Sequence, residues 1–193
     1  MKNNKTHYKR RKKKKSWIIL VSLWTFFLAI AFTWLTRLFL HNVTSIVISF
    51  ILLIFIIFLG IIFDLIGTAV TAAEEKPFHA KASKKIYGAK KGIYLVRHAD
   101  RVANFCNDVV GDITGIVSGI IGAVIIINLS SINTCLNEIY LSILMAGVIS
   151  ALTVGGKAAG KTLAINSPTE VVFYVARLLT ALERLYFWRN IRR

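Results

Sequence analysis

The sequence predicts an all-α integral membrane protein, with four transmembrane helices joined by juxtamembrane and interfacial helices along the cytoplasmic headgroups. Three observations carry this prediction. Four long apolar runs fall within 193 residues that are 55% hydrophobic, with a mean hydropathy of +0.62, a composition that suits lipid better than water. Of the 25 Lys and Arg residues, 24 lie on one side of those runs, and short Lys/Arg-rich loops stay on the cytoplasmic face. They form three groups: nine in 1–16, eight in 74–103 and seven in 156–193, whereas the loop 129–138 has none. Both termini are therefore expected in the cytoplasm, on a multi-pass protein of the cell membrane.

Residues 1–16 read as a basic cytoplasmic tail. The run 17–36 that follows has about 20 apolar residues, longer than the 7–15 of a signal-peptide core, and no small-residue cleavage site follows it, so it reads as an uncleaved anchor. The second span, about 46–73, begins as a nearly continuous Ile/Leu/Phe stretch and changes character at Gly60, beyond which come Asp64, Gly67, Thr68 and Thr71. Basic residues fill 76–103, where Pro77 can open a helix. Apolar Ile86, Tyr87, Ile93, Tyr94, Leu95 and Val96 favour one or two helices lying along the headgroups. The third span, about 105–128, carries Gly111, Gly115 and Gly119 four apart, with Gly122 nearby, small residues that let another helix approach closely, on the second or fourth span or across a dimer. The fourth is expected over 139–156, ending at Gly155-Gly156. Ser167-Pro168-Thr169-Glu170 combines an N-cap, a proline at the first helical position and a Glu three after the cap. It opens a helix whose Arg177, Thr180 and Arg184 form a polar stripe, suited to lying in the interface over 167–193.

The formal charge of +16 does not point to nucleic acid, because each basic cluster abuts an apolar run; anionic lipid headgroups are the expected partner. Cys106 and Cys135 fall on opposite faces of the bilayer, which excludes a disulfide between them.

Intramembrane acids are the chemical signal. A charged side chain at the centre of a span costs about 2.5–3.5 kcal/mol, so such residues default to function or to a named partner. Asp64, Asp108 and Asp112 are of this kind. With Thr68, Asn107 and Thr114 they supply the hard oxygen ligands that Mg²⁺ or Ca²⁺ takes; Asp64 and Asp112 are the first candidates for metal contact. The competing reading is structural: the aspartates pair with Lys157 and Lys161, or reach the inner headgroups. Gly155 to Thr162 matches the phosphate-loop pattern GxxxxGK[ST] in full, but a membrane span precedes it and Pro168 soon follows, so the strand and helix that such a loop needs are missing. No histidine cluster has metal-ligand spacing, and no nucleophile–base arrangement is readable, so neither an enzyme nor a covalently bound cofactor is expected.

Three stretches resemble the transmembrane domain of the CorB/CNNM family of magnesium transporters or transport regulators, over residues 46 to 185. Phe63-Asp-Leu-Ile-Gly67-Thr68-Ala69-Val70 looks like the family's FSxSETAL, Asn107-Asp-Val-Val-Gly111-Asp-Ile like its GNNLVNI, and Gly160-Lys161-Thr162-Leu163-Ala164 through Glu170 like its PKTLAxxxPE. Ala89-Lys-Lys-Gly-Ile-Tyr-Leu95 sits where the family has AKxVLKL. The resemblance implies a CNNM-like domain over 46–166, a homodimer, a cytoplasm-facing cation site and Mg²⁺ as the transported ion. Two departures stand out. The family's cytosolic CBS pair is not present by Arg193, which makes a separate regulatory protein an expected partner. Lys157 falls where the family has an acidic residue, Gly67 where its first-span Glu lies, and Asp64 in place of a Ser. A Lys ammonium can stand where a cation would bind, so Lys157 is expected to tether Asp64 or Asp112, with Lys161 as the other candidate. The expected function is thus Mg²⁺-like transport or homeostasis, altered or lost through Lys157; the alternative is a non-transporting membrane scaffold with structural ion pairs.

Overall fold

A computed structural model of the chain describes residues 19–20, 22–38, 46–132 and 137–191. The basic tail 1–16, His7, His41 and Cys135 lie outside the described residues. The chain divides into two compact units, Met1–Ser45 and Ile46–Arg193.

In the smaller unit the apolar run forms helix α1, Ser22–Leu38. Leu23, Trp24, Phe26, Phe27, Ile30 and Trp34 stand exposed along it. It corrects the expectation of four spans. Its 17 described residues reach about 25 Å at 1.5 Å per residue, short of a hydrocarbon core of about 30 Å. Among the described residues three helices are long and apolar enough to cross: Ile46–Ala72, Ala99–Ile132 and Glu138–Asn166, of 27, 34 and 29 residues. The protein is a multi-pass helical membrane protein.

Among its described residues the larger unit contains seven α-helices and one π-helical segment. Helix α2 is Ile46–Ala72, α3 Lys76–Ser83, α4 Ala89–Arg97 and α5 Ala99–Ala103. The π segment Asn104–Val110 joins α5 to α6, Gly111–Ile132, so the second crossing starts at Ala99 and takes the end of the expected juxtamembrane stretch 76–103 with it. Helix α7 is Glu138–Asn166 and α8 Pro168–Ile191. Gly155 and Gly156 do not end α7 at 156 as expected. Gly156 lies against Ile61, and Gly160 packs on Ile61 and Leu65 of α2, so the glycines are places where two helices meet. The phosphate-loop pattern 155–162 is helical throughout, which removes the loop it would need.

Helix α2 is central, packed on α6 and α7. Its Gly60 faces Thr114 and its Gly67 faces Asn107, an antiparallel register with the second crossing; Ile61 and Leu65 face Gly156 and Gly160, a parallel one with α7. The apolar interior between them holds Leu53, Ile56, Ile57, Ile113, Val117, Ile121 and Ile125. Below it a second cluster joins the inner end of α2 to α3, α4, α7 and α8 through Ala69, Val70, Phe78, Leu95, Ala164, Val172 and Ala176. Here α8 starts at Pro168 as predicted. Val172 and Ala176 turn to the core, while Tyr174, Leu178, Leu182 and Leu185 form an exposed stripe on the opposite side. That outward apolar stripe lies beside the exposed Arg177 and Arg184. Gly88 joins α3 to α4 at φ +87°, with the Arg177 backbone 3.1 Å from where a Cβ would sit, so both conformation and space require glycine.

A clasp closes this layer. Arg97 Nε donates to Glu75 Oε2 at 3.0 Å, and His79 Nε2 lies 3.2 Å from the same oxygen. The Arg97 hydrogen bond, helped by that of His79, lowers the Glu75 carboxyl below its ordinary value. A depressed acid stabilises the fold above its unfolded value and ceases to as pH falls through its folded one. The difference in melting temperature between wild type and Glu75→Gln will therefore hold steady from neutral pH down to the ordinary glutamate range and vanish below it. A difference that persists in strong acid would show that the clasp is not what Glu75 contributes.

Candidate functional site

The polar site is built where α2 meets the π segment and α6. Asp64 is buried at 4% exposure on the face of α2 that also carries Gly60 and Gly67. The two glycines are notches. A Cβ at Gly67 would lie 2.7 Å from Asn107 Cγ, and one at Gly60 would lie 3.2 Å from Thr114 Cβ, so each polar side chain rests on bare α2 backbone. A π turn, with its i→i+5 bonds, is rare and locally re-aims side chains in a helix. Here it carries Asn107 into the Gly67 notch, one helical turn from Asp64.

The hydrogen bonding is one-sided. Thr68 Oγ1 donates to Asp64 O at 2.9 Å, Thr114 Oγ1 donates to Gly111 O at 2.9 Å, and Ser118 donates to Thr114 O. These hydroxyl protons are spent on their own helices, leaving oxygen lone pairs. Asp64 Oδ2 and Asn107 Oδ1 are buried acceptors without a hydrogen-bond partner; the Thr153 hydroxyl on α7, a donor as well as an acceptor, is unpaired too and stands apart from this set. A buried polar atom left unpaired costs about 1–3 kcal/mol, more if charged. Such a set of acceptors calls for a cation or an ammonium. The nearest ammonium is Lys161 Nζ, 3.8 Å from Asp64 Oδ2, on a side chain that is half exposed.

The other expected ligands are placed differently. Asp108 and Asp112 share the exposed side of their helix and do not turn inward with Asp64; among the described residues no three His, Cys, Asp or Glu side chains gather as a metal cluster. Thr68 is half-buried and Thr114 fully buried. Lys157, the favoured tether, is half-buried with its Nζ beside Gly111; the ion pair that Asp64 makes is with Lys161. The glycine face on α6 is only partly as expected within the protomer. Gly122 meets Ile149 of α7, the expected fourth span, and Gly111 is covered, but Gly115 and Gly119 have nothing within 4 Å, because the close approaches to α2 use its own Gly60 and Gly67. Thr153 and the π segment were not foreseen. Gly60 and Gly67, seven apart on one helix face, held the legible signal for the notches. No protein-family model, curated protein or solved structure matches this chain.

Proposed function

We propose that this chain is a CorB/CNNM-like protein of divalent-cation transport or homeostasis in the cell membrane, Mg²⁺-like in its substrate, working as a homodimer. The carrying observation is the pair of buried acceptor oxygens, Asp64 Oδ2 and Asn107 Oδ1, left without donors one turn apart along α2. Hard oxygen atoms from a carboxylate and an amide suit a small divalent ion, which keeps several of its waters and takes few protein ligands. The motif resemblance over 46–185 supports the same reading. By the positive-inside rule the basic segments 74–103 and 156–193, on either side of the last two crossings, belong to the cytoplasm. The cation then meets Asp64 from the cytoplasmic half of the bundle, where Lys161 stands as a built-in competitor.

The Asp64–Lys161 pair at 3.8 Å favours a second reading, a scaffold whose intramembrane charges are structural. Thermal denaturation of the purified full chain separates the two. Mg²⁺ at about ten times its dissociation constant should stabilise the transporter by about 1.4 kcal/mol, and Asp64→Asn should abolish the effect. A melting temperature that ignores Mg²⁺ in the wild type would sink the transport reading and leave the scaffold.

A further inference from the structure

We infer that the groove between α3, α4 and α8 is a binding site for the phosphate of an anionic phospholipid. It is a cavity of about 600 Å³, large enough for a glycerophosphate headgroup. Lys85, Lys90 and Lys91 line it, with Tyr87 and Tyr94 beside them and Glu183 as its one carboxylate. Glu183 is already paired with Lys91, whose ammonium also lies 5.6 Å from the Tyr94 ring centre. Among the described residues no carboxylate pairs with Lys85 or Lys90, so the groove offers two exposed ammoniums to an anion that it does not itself contain.

The surroundings choose a lipid over a free phosphate. Tyr87 and Tyr94, of the amphipathic type that sits where apolar and wet regions meet, are exposed at the groove beside the aliphatic Ile86. Helix α8, which supplies Thr180 and Glu183 to the wall, presents Leu178, Leu182 and Leu185 on its other side. With those leucines at the acyl boundary, the lysines stand at headgroup depth, where basic clusters on the cytoplasmic side select anionic lipids. The inference is independent of the cation site, which lies within the spans.

Binding of dioctanoyl phosphatidylglycerol to the purified full chain, read by native mass spectrometry and by thermal shift, is the test. Lys85→Gly with Lys90→Gln removes both free ammoniums. It also places glycine at a residue whose φ of 55° disfavours a side chain, so folding is not at risk. The expected result is binding of this lipid but not of dioctanoyl phosphatidylcholine, weakened about tenfold or more in the double variant. The control pair Lys76→Gln and Lys84→Gln, outside the groove, should bind like wild type. Equal binding of the zwitterionic lipid, equal loss in the control pair, or inorganic phosphate competing as well as the lipid would overturn the assignment.

Discussion

Gly67→Leu will destabilise the bundle by about 3 kcal/mol or more. The reason is geometric. Even a Cβ at this position would lie 2.7 Å from Asn107 Cγ, and a leucine adds three more carbons in a seam where α2 meets the π segment. The helices cannot separate there without uncovering Asp64, which shares the buried face. Gly67→Ala gives a graded case. Asn107 must swing out of the notch, so stability should fall less while any Mg²⁺-dependent shift is lost with the displaced oxygen. Gly115→Leu and Gly119→Leu are the contrast. Both positions are open to 4 Å, and leucine is a better helix former than glycine by somewhat under 1 kcal/mol. Equilibrium unfolding in detergent checks all four. If Gly67→Leu unfolds like the wild type, the Asn107 notch is misplaced.

Lys161→Met will destabilise the protein by about 2 kcal/mol, and Asp64→Asn in the same chain will restore most of that loss. Removing one partner of a buried pair costs up to about 3–5 kcal/mol, because the remaining charge stays buried. Lys161 is half exposed and 3.8 Å from the carboxylate, so solvent screening trims the figure. A double-mutant cycle isolates the pair from the packing of the lysine stem. The same variant separates the functional readings. If Asp64 receives a divalent ion, deleting its built-in ammonium should strengthen the Mg²⁺-dependent stabilisation; in a scaffold it should only weaken the fold. Single and double variants that lose stability additively would mean that Lys161 and Asp64 do not act on each other.

These two expectations mark where the sequence was and was not legible. The acids and the second, third and fourth apolar runs were readable because bilayer insertion is a local property: each run is either long and apolar enough or it is not. The start of α8 was readable for the same reason, since Ser167-Pro168 acts within one turn. Partnership was not. Lys157 and Lys161 are four apart on one helix, and the charge swap implied by the family resemblance favoured Lys157. The contact goes to Lys161 because Gly156 and Gly160 seat α7 on Ile61 and Leu65, bringing that turn level with Asp64. Likewise the glycines of α6 were legible as a packing signal, but within the protomer only Gly111 and Gly122 are covered, while α2 brings Gly60 and Gly67 of its own.

The sequence by itself determined that this is a multi-pass helical membrane protein with a polar region near Asp64 and a basic C-terminal helix starting at Pro168, since hydropathy, charge placement and helix-start chemistry act over one element at a time. Only the tertiary structure decided that a π turn presses Asn107 onto Gly67, that Lys161 rather than Lys157 meets Asp64, and that Asp108 and Asp112 stay outside. Those outcomes depend on which backbone surfaces can approach within van der Waals distance, and that is settled between helices rather than along any one of them.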